Sequence, residues 1–583
     1  MKLLPLRKSV SDALVAQPYH WPTGLLMFGS GLVMGLAPAP LNLWPLAWLA
    51  IAPLWFLRLQ TLPSSKPFAL KPLLYPLLWG LGYHGFALAW ITHLHPLMWM
   101  GIPWLGSIAI ALFAWVFITL WGAALVVIWF GVCGWAWGIQ RGRKIEERGE
   151  EVKSQNSKFK IQNPKFKIQN WQEKEDSARM TYSLIYRLIT AMALWCALET
   201  IWSWGPLYWT SISYTQSPGN LWLLQWGKVS GQFGISAVLM LSNGLLAETW
   251  ALRWRFPGDS NIWRRGAVAL VAFFIAAHGI GWGMQQGAIA DNPDQKLTIG
   301  LIQGNIPTRI KLTPAGERQA IERYTQGYET LADQGVDAVV TPEAALPILW
   351  QRAKSQNPLY RAVRNRGVPL WLGTFAIASD QPSTSSWSPP LTQSLLSIDG
   401  NGETIGRYNK VKLVPLGEYI PFERVLGALI QRLSSMSGSL VPGEPTQVFA
   451  TPLGNVVVGI CYESAYGEVF RRQTAQGGQL IVTSSNNDPY PPSMLMQHHA
   501  QDVMRAVESD RWSVRVTNTG ISGLVDAQGH THWLAQPDEY VTYAATVYLR
   551  QGQTLYVRWG NWLTWVLVAI AVGFALITRG YAR

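Results

Sequence analysis

The chain has 583 residues, a formal net charge of +13, only 14% charged residues, 32 tryptophans and three cysteines. It is too long for one ordinary domain and too poor in charge to be wholly water-soluble, since soluble chains carry about 25% charged residues. The positive balance does not point to nucleic acid, because the basic residues cluster in short loops beside apolar segments and no nucleic-acid-binding motif accompanies them.

The charge deficit is local. No Asp, Glu, Lys or Arg occurs from Trp21 to Leu57 or from Pro72 to Gln140, and each stretch exceeds the roughly 20 apolar residues that span a bilayer. The N-terminus (Lys2, Arg7 and Lys8, then an apolar stretch to Leu36) has the look of a signal peptide. Pro40 directly after Ala37-Pro-Ala39 disfavours cleavage, so it is read as a retained first helix. Eight spans are expected, near Gly24–Leu36, Leu43–Leu57, Leu73–Ile91, Ile102–Trp135, Tyr182–Trp202, Gly231–Leu252, Ala267–Met284 and Gly560–Thr578. Pro38, Pro40 and Pro45 mark the break between the first two.

Loop charge predicts the orientation. Arg58, Lys66 and Lys71 follow span two, a Lys/Arg-rich stretch follows span four, Arg253, Arg255, Arg264 and Arg265 follow span six, and Arg579 and Arg583 follow span eight. The alternate loops, such as Thr92–Met100, are nearly uncharged. Both termini are therefore expected in the cytoplasm, and residues 285–559 on the far side of the membrane. The expected organisation is a transmembrane domain over 1–284, an extracytoplasmic domain over 285–559, and a last helix and tail over 560–583. A cytoplasmic insertion at 141–179 repeats Lys-Phe-Lys-Ile-Gln-Asn at Lys158–Asn163 and Lys165–Asn170. It reads as disorder or a solvated helix, with lipid-surface contact as the alternative. Trp202, Trp204, Trp209, Trp222 and Trp226 suit an interfacial belt or plain anchoring. Arg187 and Glu199 lie in or near span five and are either intramembrane functional charges or helix-end residues.

In the second half, short β-branched runs alternate with helix-like segments. Leu297–Ile306, Ala338–Thr341, Pro369–Phe375, Val456–Ile460, Leu480–Ser484 and Val514–Thr517 read as strands, and Glu317–Gln334 and Met494–Asp510 as amphipathic helices. Near-continuous apolar strands mixed with helices indicate an α/β sandwich. Three side chains stand at strand ends: Glu343 after Val339-Val-Thr-Pro, Lys410 after Arg407-Tyr-Asn, and Cys461 after Val456–Ile460. Cys461 is the only cysteine beyond residue 200. A thiol needs a base to become a nucleophile, a buried carboxylate can be that base, and a fixed ammonium can hold an oxyanion. Taken singly, the three could equally be a core cysteine, a helix cap and a surface lysine. His498-His499 would face different directions on a helix and lack a third ligand nearby, so no metal is expected.

At these residues the chain resembles the nitrilase superfamily, and within it the apolipoprotein N-acyltransferase branch. The resemblance is carried by Leu301-Ile-Gln-Gly-Asn305-Ile-Pro, Thr341-Pro-Glu343-Ala-Ala-Leu-Pro, Arg407-Tyr-Asn-Lys410-Val-Lys-Leu-Val-Pro-Leu-Gly-Glu418-Tyr-Ile-Pro, Ile460-Cys461-Tyr462-Glu463, Asn487-Asp488, Gln497–Arg511, Thr517-Asn-Thr-Gly520 and Trp559-Gly-Asn-Trp562. It implies an α-helical multi-span membrane domain joined to a nitrilase-like αββα sandwich. It further implies a Glu343 base, a Lys410 oxyanion stabiliser and a Cys461 nucleophile, with Glu418, Tyr462 and Glu463 in or around the site. The implied reaction needs no cofactor. It moves an acyl chain from a phospholipid, usually phosphatidylethanolamine, through a cysteine thioester to the α-amino group of the diacylglyceryl-cysteine of an apolipoprotein, in the bacterial inner membrane. A membrane-bound amidase or thioesterase is the alternative, and a scaffold or transporter a third reading. Leu312, Leu416 and Tyr490 depart from the family's usual residues at positions expected to line an acyl or lipid groove.

Overall fold

A computed structural model describes residues 21–61, 70–155, 165–256, 258, 260–350, 354–378, 390–415, 417–419 and 440–580. The first half is helical: α1 Trp21–Gly35, α2 Ala52–Gln60, α3 Leu70–Ala87, α4 Trp104–Gln155, α5 Lys165–Trp204, α6 Gln232–Arg255 and α7 Ser260–Gln286. Among the described residues, Trp104–Gly138, Met180–Trp204, Gln232–Arg255 and Ser260–Gln286 are long and apolar enough to cross a membrane, and Trp562–Ile577 is a shorter apolar helix. Small residues let α1 and α3 touch backbone to backbone. A Cβ at Gly31 would lie 2.1 Å from the Trp79 carbonyl oxygen, and one at Gly82 would lie 2.4 Å from that of Phe28.

The second predicted span is not one helix. Leu43–Leu57 instead contains a 3-10 turn, Trp44–Trp48, and most of α2, whose nine residues reach only about 14 Å. Non-helical backbone surrounded by apolar helices needs internal partners. Asn243 of α6 supplies them: its Oδ1 accepts from the Ile51 and Ala52 amides at 2.9 and 3.0 Å, and its Nδ2 donates to the Ala47 carbonyl at 2.9 Å. Of the predicted insertion, 141–155 continue α4 and 165–179 begin α5. The first hexapeptide copy lies outside the described residues, as do Lys2, Arg7, Lys8, Lys66 and Leu416.

The second half is a four-layer α/β sandwich. One sheet has the order β13-β1-β2-β4-β5-β6, with β3 also paired to β4; the other has the order β12-β11-β10-β9-β8-β7. In the first, β1 Lys296–Gln303, β2 Ala338–Val340 and β4 Leu370–Ile377 run parallel; β3 Leu346–Leu349 joins them, and β5 Leu391–Ile398, β6 Thr404–Asn409 and β13 Val541–Tyr548 pair antiparallel. In the second, β8 Gly454–Ile460, β9 Ile481–Ser485 and β10 Ser513–Thr517 are parallel, flanked by β7 Phe449–Thr451, β11 Gly523–Val525 and β12 Thr531–Leu534.

Alternate strand residues meet between the sheets: Leu301, Val340, Trp371 and Leu395 from one, Val456, Val458, Val482 and Val514 from the other. Burying each such side chain contributes about 1.5–3 kcal/mol. The opposite face of the first sheet is covered by α8 Pro314–Asp333 and α9 Pro358–Arg366. On the second sheet's outer face lie α10 Gly467–Ala475, through Phe470 against Val457 and Ile481, and α11 Pro492–Ser509. The far side of α11 (Val503, Met504, Ala506, Val507) joins the core of the membrane helices, so the sandwich is docked on the helical half through a shared apolar layer. The closing helix α12 Trp562–Gly580 returns to pack on α5.

Arg187, on a candidate membrane span, is paired. Its Nε and Nη2 donate to the two carboxylate oxygens of Glu248 on α6, both at 2.7 Å, and Nη1 donates to Ser183 at 2.8 Å. Removing Arg187 strands the buried Glu248 carboxylate, at a cost of up to about 3–5 kcal/mol. Arg187→Met should therefore sharply lower the thermal unfolding midpoint in detergent, and Arg187→Met/Glu248→Met should recover most of the loss.

Candidate active site

Glu343, Lys410 and Cys461 come from three strand ends and meet at one edge of the sandwich. Glu343 lies just beyond β2, in a turn where Ala344 has φ +46°. The neighbouring strand must pass very close to this turn. A Cβ at Gly373 of β4 would lie 1.9 Å from the Pro342 carbonyl oxygen, so only glycine allows the approach. Lys410 follows β6, its amide donating to the Gln393 carbonyl of β5 at 2.8 Å. Cys461 follows β8 and opens the 3-10 turn Cys461–Ala465, with φ +52°. That left-handed conformation is uncommon for a residue with a side chain, and it turns the chain sharply at the thiol.

The three groups form one electrostatic unit. The fully buried Lys410 Nζ donates to Glu343 Oε1 at 2.9 Å and to Glu418 Oε1 at 2.6 Å. Glu418 Oε2 is held by the Val414 amide at 2.8 Å. Glu343 Oε2 accepts from the Asn486 amide at 3.0 Å, and the Cys461 Sγ lies 3.9 Å from the carbonyl oxygen of that same Asn486. A single residue at the end of β9 thus bridges carboxylate and thiol. Burial disfavours the charged form of Lys410, but Glu343 and Glu418 outweigh it and hold the ammonium well above its ordinary value. Burial also pushes Glu418 up against the pull of Lys410. The half-buried Cys461 thiol is pushed up to about 12 by burial and by the negative charge of Glu343, against the opposing effect of Lys410. The resting sulfur is therefore a thiol, and a neighbouring carboxylate is present to take its proton.

The supporting residues have distinct tasks. Glu463 is fully buried and ties the Cys461 turn to the Lys410 segment. It accepts from the amides of Ile460 (2.7 Å), Val411 (2.6 Å) and Lys412 (3.1 Å) and from the Tyr408 hydroxyl (3.1 Å). Burial pushes its carboxyl up to about 7 despite these donors. Tyr462 faces the helical half. Its hydroxyl accepts from the Tyr208 amide and donates to the Pro206 carbonyl, both at 2.9 Å, while its ring lies parallel to that of Trp209 with centroids 6.0 Å apart.

His498 and Lys311 carry no weight in the sequence reading, yet both touch this centre. His498 Nε2 lies 2.8 Å from the Cys461 carbonyl oxygen, while Nδ1 faces the Asn487 amide at 3.1 Å and the Arg515 guanidinium at 2.9 Å. Two donors at Nδ1 fix the proton on Nε2, so the ring donates to the carbonyl of the cysteine. Burial and the Arg515 charge hold its pKa well below the usual histidine range. Lys311, also buried, donates to the Glu343 carbonyl at 2.9 Å; burial lowers it to about 8. Its neighbour Leu312 is half exposed, and the Tyr490 ring meets Trp90 edge-on at 5.1 Å. Trp204 and Trp222 are exposed as a membrane belt requires, but Trp209 turns inward, its Nε1 donating to Gln497 at 2.8 Å.

Because burial, with the charge of Glu343, raises the thiol, Cys461 alkylation should rise steadily between pH 7 and 10 without a plateau. Cys133 and Cys196 are buried, so peptide mass spectrometry after iodoacetamide reads Cys461 selectively; a wild-type plateau near pH 8 contradicts this electrostatic picture.

Two family models match this chain: the apolipoprotein N-acyltransferase N-terminal domain over residues 30–140 and 175–245, and carbon-nitrogen hydrolase over 298–545. The interruption of the first falls on the predicted insertion. The chain is 43% identical to an apolipoprotein N-acyltransferase of Nostoc sp. over 93% of its length and 97% of the relative's. It is 42% identical to one of Thermosynechococcus vestitus over 98% and 99%. An amidase structure from Nesterenkonia sp. matches 46% of this chain and 95% of its own, at 18% identity and a TM-score of 0.33. By the extent of the first two matches, this chain is a member of the apolipoprotein N-acyltransferase family.

Proposed function

We propose that the protein performs the acyl transfer for which its relatives are named, through a thioester on Cys461. In the first half-reaction, Glu343 takes the Sγ proton as sulfur attacks the ester carbonyl of a membrane phospholipid, phosphatidylethanolamine being the expected donor. Lys410 stabilises the oxyanion. The C–O bond then breaks, and the lysophospholipid leaves with the proton from Glu343. In the second, the α-amino group of a diacylglyceryl-cysteine at the N-terminus of an apolipoprotein attacks the thioester. Glu343 takes the amine proton, the C–S bond breaks, and the thiol is restored.

The observation that carries this reading is the meeting of Glu343, Lys410 and Cys461 at the edge of the sandwich that also contacts the helical half. Tyr462 and Tyr490 lie beside Cys461 and pack against Trp209 and Trp90 of that half. A site in such a place suits a bilayer-borne substrate, because exposing an acyl chain to water costs about 0.8 kcal/mol per CH₂. The segregation of basic loops supports an inner-membrane protein with both termini in the cytoplasm and the domain 285–559 outside it. On this reading the helical half, 1–284 with α12, makes eight crossings. The second of them is the partly unwound segment around α2.

Incubating the purified protein with phosphatidylethanolamine should add one acyl mass to wild type and none to Cys461→Ser. Adding a diacylated lipopeptide should discharge it onto the peptide. Discharge to free fatty acid at a rate independent of the lipopeptide would favour the amidase or thioesterase reading, and an acylated Cys461→Ser would overturn the nucleophile.

A further inference from the structure

We infer that Glu199, a buried carboxylate on the membrane helix α5, is a positioning residue for the turn that carries Cys461. The inference rests on the thioester reading above for its consequence, but its geometry stands apart from that reading. A carboxylate within a membrane helix is costly unless it is fully occupied, and Glu199 is only 2% exposed. Its Oε1 accepts from the Ile212 amide at 3.0 Å and from Ser211 Oγ at 3.1 Å; its Oε2 accepts from Ser236 Oγ at 2.6 Å. Two of these three donors belong to one loop, 205–217, and only Ser236 comes from another membrane helix. The carboxylate is thus spent chiefly on fixing a non-helical segment. Ser211 also caps the 3-10 turn Ile212–Gln216, accepting from the Ser213 amide at 3.2 Å.

That segment grips the catalytic turn on both sides of its midpoint. Near the start, the Tyr462 hydroxyl is held by the Pro206 carbonyl and the Tyr208 amide. At the end, the Tyr214 hydroxyl reaches the Ala465 carbonyl at 2.9 Å, and the same hydroxyl lies 2.7 Å from Gln232 Oε1. Gln232 Nε2 in turn donates to the Tyr208 hydroxyl at 2.5 Å. The Cys461 backbone, at φ +52°, is a conformation that persists only when its surroundings over-determine it. From within the sandwich, Glu463 and His498 fix the turn; from the membrane side, the described hydrogen bonds to Tyr462 and Ala465 all come from the loop tied to Glu199. Glu199 touches neither sulfur nor base, so its effect passes through Tyr462 and Tyr214.

The test uses the full-length protein in detergent or nanodiscs with three variants. Glu199→Ala removes the anchor, Ser211→Ala removes a loop-side bond and leaves the carboxylate, and Ser236→Ala removes the bond that does not lead to the loop. Amide exchange of the peptide spanning Cys461–Tyr466 should quicken by tenfold or more in Glu199→Ala and measurably in Ser211→Ala. Acyl-enzyme formation from phosphatidylethanolamine should slow by tenfold or more in the first with the apparent KM within twofold. Ser236→Ala should stay within twofold of wild type in both. Glu199→Ala added to Tyr462→Phe should slow acylation less than it does alone, since both act on one path. Unchanged exchange at 461–466, or an equal response to Ser236→Ala and Ser211→Ala, overturns the inference. If wild type forms no acyl-enzyme, the thioester reading fails while the exchange data still decide the clamp. Should Glu199→Ala not fold, the Ser211→Ala and Ser236→Ala pair decides it.

Discussion

A buried ammonium held between two carboxylates organises the candidate active site. Lys410 reaches Glu343 and Glu418 at 2.9 and 2.6 Å with no exposure of its own side chain. Removing an ion from water costs several kcal/mol even after relaxation, and one contact at this range returns about 6 kcal/mol at an effective dielectric near 20. One carboxylate would leave the balance close; two decide it, which is why the lysine keeps its proton. Burial and the negative charge of Glu343 favour the neutral thiol at Cys461. In the proposed mechanism, such a site holds Cys461 unreactive until a substrate carbonyl arrives and draws the developing charge toward Lys410.

This arrangement depends on packing at two levels. Within the sandwich, parallel strands buried on both faces bring Glu343 and Cys461 to the same edge, and β6 delivers Lys410 to it. Glu463 then stitches the Cys461 turn to the Lys410 segment through three backbone amides. Between the halves, α11 shares its apolar side with the membrane helices, and the loop 205–217 reaches the catalytic turn directly. The membrane half is thus built into the wall of the site through Tyr462, Trp209 and Trp90, beyond serving as an anchor.

The parts legible in the sequence are those with a local cause. Val456–Ile460 is a β-branched run ending in a thiol, and both features are visible without a structure; β1, β2, β4, β9 and β10 were legible for the same reason. The strands β5, β6 and β13 carry Thr, Ser, Gln, Gly or Arg among their apolar residues and owe their pairing to neighbours far away in the chain, so no local pattern announced them. The second span looked continuous because only composition was visible; its unwinding depends on Asn243, nearly 200 residues later. His498 beside His499 raised only the question of a metal, and its bond to the Cys461 carbonyl could not be read from a helix whose docking was unknown. Lys311, next to the family position at Leu312, is a basic residue beside Arg309 in the sequence, and nothing local names its partner. Glu199 was suspect as an intramembrane charge, while the loop it holds has no motif.

The account turns most directly on Lys410. The decisive measurement is the single-turnover rate of acyl-enzyme formation from phosphatidylethanolamine in Lys410→Met, followed by intact mass, with Cys461 alkylation as the check that the site is assembled. Losing one preorganised stabiliser of an oxyanion lowers a rate by about 10²–10³, and a fall of at least that size with alkylation retained is the predicted result. Acylation at the wild-type rate would contradict the claim that the buried ammonium stabilises the reaction's developing charge.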